Sequence, residues 1–158
     1  MTMLSSILIG LSVFAVGLFC GLMFTLVFIM QMKWNRQTGS EYMTDIQPFL
    51  EVAKGHWVIQ IVMFTVILAP IGAAIALDGT ASAITPALIW AGTIIFMIGV
   101  FGVTIALNFP VYDAMMSMSA EQPSDEWPQL RQRFFALNLS RMIASGISFL
   151  AFITVLIV

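Results

Sequence analysis

Residues 4–32 read LSSILIGLSVFAVGLFCGLMFTLVFIMQM, with no charged side chain anywhere in the run. A helix needs about 20 residues to cross ~30 Å of hydrocarbon at ~1.5 Å per residue, so this stretch can cross a bilayer unaided. It also exceeds the ~7–15 residues of a cleavable signal core, and no Lys or Arg precedes it, so it reads as a permanent span. Three further runs, 57–77, 86–109 and 134–158, meet the same length test. All are continuous rather than alternating, which indicates helices and not barrel strands. The fold expected is all-α: an integral membrane antiparallel four-helix bundle, one domain over residues 1–158, with spans at about 4–32, 57–77, 86–109 and 134–158.

Composition supports this. Of 158 residues, 60% are hydrophobic and 9% charged, whereas soluble domains carry about 25% charged residues. Polar surface is too scarce to cover a core in water, and lipid accepts the apolar remainder, so little mass is expected outside the bilayer. A net charge of −2 gives no footprint for nucleic acid. The lone Cys20 excludes an intramolecular disulfide and reads as a small thiol packed in the membrane; the bulky Phe19 before it disfavours lipid attachment.

Basic residues set the expected orientation. Lys33, Arg36 and Lys54 separate the first two spans, Arg131 and Arg133 the last two, and Arg141 lies just inside the fourth. The positive-inside rule then makes loops 33–56 and 110–133 cytoplasmic and puts both termini on the non-cytoplasmic side. A bacterial inner (cell) membrane is the expected location. The short loop 78–85 makes spans two and three antiparallel neighbours. Each longer loop carries a helix-start signal: Thr44, Asp45 and Pro48 in TDIQPFLE, and Ser124, Asp125 and Pro128 in SDEWPQLR. The pattern Ser/Thr-Asp-x-x-Pro-x-Leu recurs 80 residues apart, which fits either an old duplication or convergent helix starts.

Polar groups inside spans are costly and ask for a partner or a purpose. At 100° per residue, Asn138, Arg141, Ser145 and Ser148 share one narrow face of span four, which must turn away from lipid. Arg141 reads two ways: a structural cation snorkelling to the interface or paired with Asp113, or an anion-binding group. His56 and Gln60 share a face at the start of span two, as an interfacial pair or as proton-handling groups. One His is too few ligands for zinc or copper. Met115, Met116 and Met118 read as a short amphipathic helix at the membrane face rather than a copper(I) site. No metal and no cofactor is expected. In span one, Gly10, Gly17 and Gly21 form a small-residue face suited to close helix packing.

Asn108-x-Pro110 closes span three, and Phe134-x-x-x-Asn138-x-x-Arg141 opens span four. With the Gly17/Gly21 first span, this layout resembles the small four-helix membrane proteins of the anthrone oxygenase-like family. The resemblance implies a cofactor-independent oxidoreductase acting on a flat phenolic or polyketide-type aromatic. Arg141 and Asn138 would stabilise an oxyanion, Asn108 would orient the ring, and His56 or Asp113 would serve as general base. Phe134 stands where the family often has Trp. The competing reading is a non-catalytic accessory or scaffolding subunit of a larger membrane complex, docked through the Gly10, Gly17, Gly21 face. A transporter is the weakest reading, because four spans with one internal charge make a thin path.

Overall fold

A computed structural model of the protein describes residues 1–79 and 81–158; Thr80, within the loop read as 78–85, lies outside the described residues. Among these, all regular structure is helical. There are five rods: α1 (Met3–Trp34), α2 (Gly39–Gly55), α3 (Trp57–Ile75), α4 (Ile84–Met116) and α5 (Trp127–Val155). Helices α1, α3, α4 and α5 are each long and apolar enough to cross a membrane. They close a ring in which α1 packs on α3 and α5, and α4 packs on the same two. Each span therefore touches its neighbours in sequence, as short connections require. The outer surface carries Leu11, Phe14, Leu18, Leu68, Ile98, Ile147 and Leu150. That belt would promote aggregation in water and is the normal surface of a protein embedded in lipid.

The spans differ in length, and the difference shapes the molecule. Helix α3 has 19 residues, just enough to cross, whereas α1, α4 and α5 have 32, 33 and 29. All four are level at the end that holds the termini: Thr2 donates to the Ala76 carbonyl at 2.9 Å, and Ile9, Ala73, Ile89 and Val155 form one buried cluster. The surplus therefore projects at the opposite, basic end, by roughly 15–20 Å at ~1.5 Å per residue.

There α2 packs across the projecting ends and completes a second core. Trp34, Tyr42, Met43, Ile46, Leu50, Val111, Met115 and Phe134 are all essentially inaccessible. Trp34 is its hub, in edge-on contact with Tyr42, Phe49 and Phe134 at centroid distances of 6.1, 6.0 and 5.7 Å. The Trp34 indole donates to Asp45 at 2.8 Å, and Arg131 donates to the Trp34 carbonyl at 2.9 Å. Gln47 closes the end of α4 by donating to the Met115 and Met118 carbonyls, both at 2.9 Å. More mass thus stands beyond the spans than composition suggested, because long amphipathic loops fold on the helix ends instead of trailing in water.

Both expected helix starts shift. Helix α2 begins at Gly39, capped by Thr38 in a reciprocal capping box with Glu41, and Thr44 and Pro48 fall inside it. Helix α5 begins at Trp127 without a side-chain cap, with Pro128 in its first turn and Ser124 outside. The repeated motif therefore sits mid-helix once and at a helix start once, so its two copies are not structural equivalents. Likewise 110–116 continues α4 and is not a loop: the α-helical segment Phe109–Met116, with Pro110 in its first turn, follows directly on the π turn Thr104–Asn108.

The close helix crossing lies where the sequence did not flag it. A Cβ on Gly99 would stand 2.6 Å from the Ala144 Cβ, and one on Gly92 2.8 Å from the Phe152 ring. These two glycines let α4 and α5 approach. On α1, a Cβ on Gly17 would stand 3.4 Å from the Phe149 ring, an ordinary contact, and one on Gly10 or Gly21 would meet nothing within 4 Å among the described residues.

Candidate functional site

In the basic half of the bundle, α1, α3 and α4 enclose a cavity of about 300 Å³. That is the small end of the ~300–1,000 Å³ typical of ligand pockets, enough for one small molecule. Phe19, Met23 and Leu26 come from α1, Met63 and Phe64 from α3, and Phe101 and Phe109 from α4; the last turns of α2 roof it with Phe49 and Lys54. The polar groups on this wall are few: Gln60, Thr104, Tyr112, Lys54 and Arg141.

Local backbone geometry helps to make the space. Helix α1 widens to π geometry at Thr25–Met30, and α4 does so at Met97–Gly102 and Thr104–Asn108. Such turns are rare and cluster at functional sites. Each of these three supplies the wall, through Leu26, Phe101 and Thr104.

Arg141 is the chemical centre. It projects from α5 on the buried stripe with Asn138, Ser145 and Ser148, and it is 4% exposed. The two serines donate back to their own helix, to the Met142 and Ala144 carbonyls. Asn138 instead accepts from Arg141 Nη1 at 2.9 Å, the guanidinium carbon stands 5.3 Å from the Phe19 ring centroid, and the Tyr112 hydroxyl lies within electrostatic reach. Arg141 Nε and Asn138 Nδ2 have no partner. Among the described residues no carboxylate reaches ion-pair distance of Arg141. Desolvating such a cation without a counter-ion costs several kcal/mol, on the order of a lost buried pair. An intramembrane charge of this kind is costly and asks for a partner or a purpose.

The other residues singled out from sequence fall at graded distances from this centre. Asn108, on α4 between the wall residues Thr104 and Tyr112, is fully buried, and neither amide atom finds a partner. Asp113 is not Arg141's partner: it is exposed and accepts from Lys54 Nζ at 2.6 Å. It therefore stands outside the wall, beyond the Lys54 side chain that lines it. His56 lies at the α2–α3 corner, stacked on Trp57 at 6.3 Å, and is not on the wall, whereas its companion Gln60 is. Sequence reasoning missed Tyr112 and Lys54. Tyr112 sat in a stretch read as loop, and its signal was the four-residue spacing Thr104, Asn108, Tyr112 along what proves to be one continuous helix. No group of three or more His, Cys, Asp or Glu arranged for a metal occurs among the described residues.

A family model described as anthrone oxygenase matches residues 49–151. No curated protein and no solved structure matches the chain. The match spans well over half of the sequence and includes Asn108, Asn138 and Arg141; it leaves out α1, which supplies one side of the cavity. This four-span membrane protein belongs to the anthrone oxygenase family.

Proposed function

We propose that the chain oxidises a flat, weakly acidic phenolic aromatic of the anthrone type, with dioxygen as oxidant, inside this cavity. The observation that carries the reading is Arg141: a buried cation with no carboxylate partner, on the wall of an otherwise aromatic and aliphatic pocket. A neutral ligand would leave the guanidinium uncompensated. An aromatic that becomes an anion during reaction supplies the missing charge when it is most needed.

The chemistry balances without a further reductant. Loss of a proton from the ring methylene gives a delocalised carbanion whose charge rests largely on the carbonyl oxygen. The carbanion reduces O₂ and combines with it to form a carbon-bound hydroperoxide. Loss of water then leaves a second carbonyl, so one CH₂ and one O₂ become one C=O and one H₂O. Arg141, held in place by Asn138, stabilises the oxyanion, and Tyr112 is placed to donate to the same oxygen. Phe19, Phe101 and Phe109 supply flat contact surface. Asp113, outside the wall beyond Lys54, accepts the methylene proton through water in this scheme; His56, at the α2–α3 corner, takes no part.

The test is oxygen uptake by the purified protein in lipid vesicles supplied with anthrone. Expected is one O₂ consumed per quinone formed, at a rate well above that of empty vesicles. An uptake rate equal to that of empty vesicles would remove the catalytic reading and favour a non-catalytic accessory subunit.

A further inference from the structure

Helix α3 packs against α4 chiefly over Ile84–Phe96, in the half of the bundle nearer the termini. Beyond Met97, where α4 takes its two π stretches, the pair separates. The cavity lies in this splayed half. Phe64 on α3 and Ile105 on α4, 48% and 50% exposed, are among the exposed residues of its wall, with Leu22, Val52, Lys54 and Gln60. Phe64 lies seven residues inside α3, roughly 10 Å from that helix's basic end at ~1.5 Å per residue. Because α3 is barely long enough to cross, that depth falls within hydrocarbon. The Phe64 and Phe101 rings, 5.9 Å apart, bridge the gap without filling it. On the aqueous side the cavity is roofed by α2, with Lys54 tied to Asp113 at 2.6 Å and set over the Phe109 ring at 5.7 Å.

We infer that the gap between α3 and α4, bounded by Phe64 and Ile105, is a lateral portal through which the ligand enters from the acyl-chain region of the bilayer. The ligand class follows: an apolar, membrane-partitioned phenol whose single acidic oxygen travels neutral through lipid and meets Arg141 on arrival. A permanently charged, water-soluble aromatic would have to displace the α2 roof and its ion pair. The inference rests on the reading of the cavity as a ligand site, but not on turnover.

The test uses the full chain in lipid vesicles and 2-hydroxyanthracene as probe, with association followed by saturable energy transfer from the native tryptophans. Ile105→Trp narrows the gap and is expected to slow association at least tenfold. Phe64→Ala widens it and is expected to speed association severalfold. Gln47→Leu, which loosens the aqueous roof by removing the α2 bonds to the Met115 and Met118 carbonyls, is expected to leave the rate within twofold of the parent. Both gap substitutions fall on exposed positions. An unchanged rate in either folded gap variant, acceleration by Gln47→Leu, or no saturable binding in the parent would overturn the portal. Binding that follows the portal variants without oxygen uptake would sustain it while removing the catalytic reading.

Discussion

Arg141, Asn138 and Asn108 together hold polar atoms that none of the described residues satisfies, whereas buried hydroxyls such as those of Thr93, Thr104 and Ser148 return to their own helices. An unsatisfied buried amide costs about 1–3 kcal/mol, so these side chains work against stability. Asn108→Leu, with the same branching and no polar atoms, is therefore expected to raise the melting temperature in detergent while lowering oxygen uptake at least tenfold. A fall in melting temperature would show that Asn108 is structurally satisfied. Asp45 behaves in the opposite sense. The hydrogen bond from Lys33, then that from the Trp34 indole, holds its carboxyl below the usual carboxylate range. A depressed value stabilises the fold above the unfolded-state pKa of about 3.9 and loses that contribution as pH falls through the folded value. Asp45→Asn should lower the melting temperature at pH 6–7 by an amount corresponding to under about 1 kcal/mol. The difference from the parent should shrink as pH falls below the ordinary carboxylate range, which thermal melts at falling pH will check. At this scale the sequence was informative where cost is high: an arginine inside a span shows itself, whereas Tyr112 and Lys54 gain meaning only from what they face.

Helices were legible in proportion to their hydrophobicity. The four spans follow from run length alone, yet α4 and α5 extend beyond their apolar cores, to Met116 and back to Trp127. Those extensions are amphipathic and pack on α2, a tertiary contact that hydropathy does not encode. Packing faces were less legible. The Gly17-x-x-x-Gly21 spacing drew attention to α1, but the tight crossing uses Gly92 and Gly99, seven apart on α4. Small-residue spacings recur in many membrane helices, and only the facing partner, here Ala144 and Phe152, makes one of them critical. Gly99→Val is expected to destabilise the bundle by about 1–3 kcal/mol through overpacking, whereas Gly21→Val, on an open face, should be close to neutral. Equal losses in the two variants, measured by thermal melting in one detergent, would mean that the Gly21 face is also occupied.

As a whole, the molecule is a bundle with an apolar cavity in one half, a packed cap beyond it and, between them, a buried arginine that meets no carboxylate among the described residues. The fold and the family were readable from run length and a few spaced residues. Which polar residues share the cavity was not, because Asp113 and His56 are close to it in sequence yet stand outside its wall. The central claim is that Arg141 is kept for chemistry and not for stability. The most direct test measures anthrone-dependent oxygen uptake and thermal stability together for Arg141→Met, which keeps much of the bulk and removes the charge. The account predicts a loss of turnover on the order of 10²–10³-fold, as for removal of one oxyanion donor, with a melting temperature unchanged or higher, because an unpaired buried charge is gone. Retained turnover with a collapse of stability would contradict it and return Arg141 to a structural role.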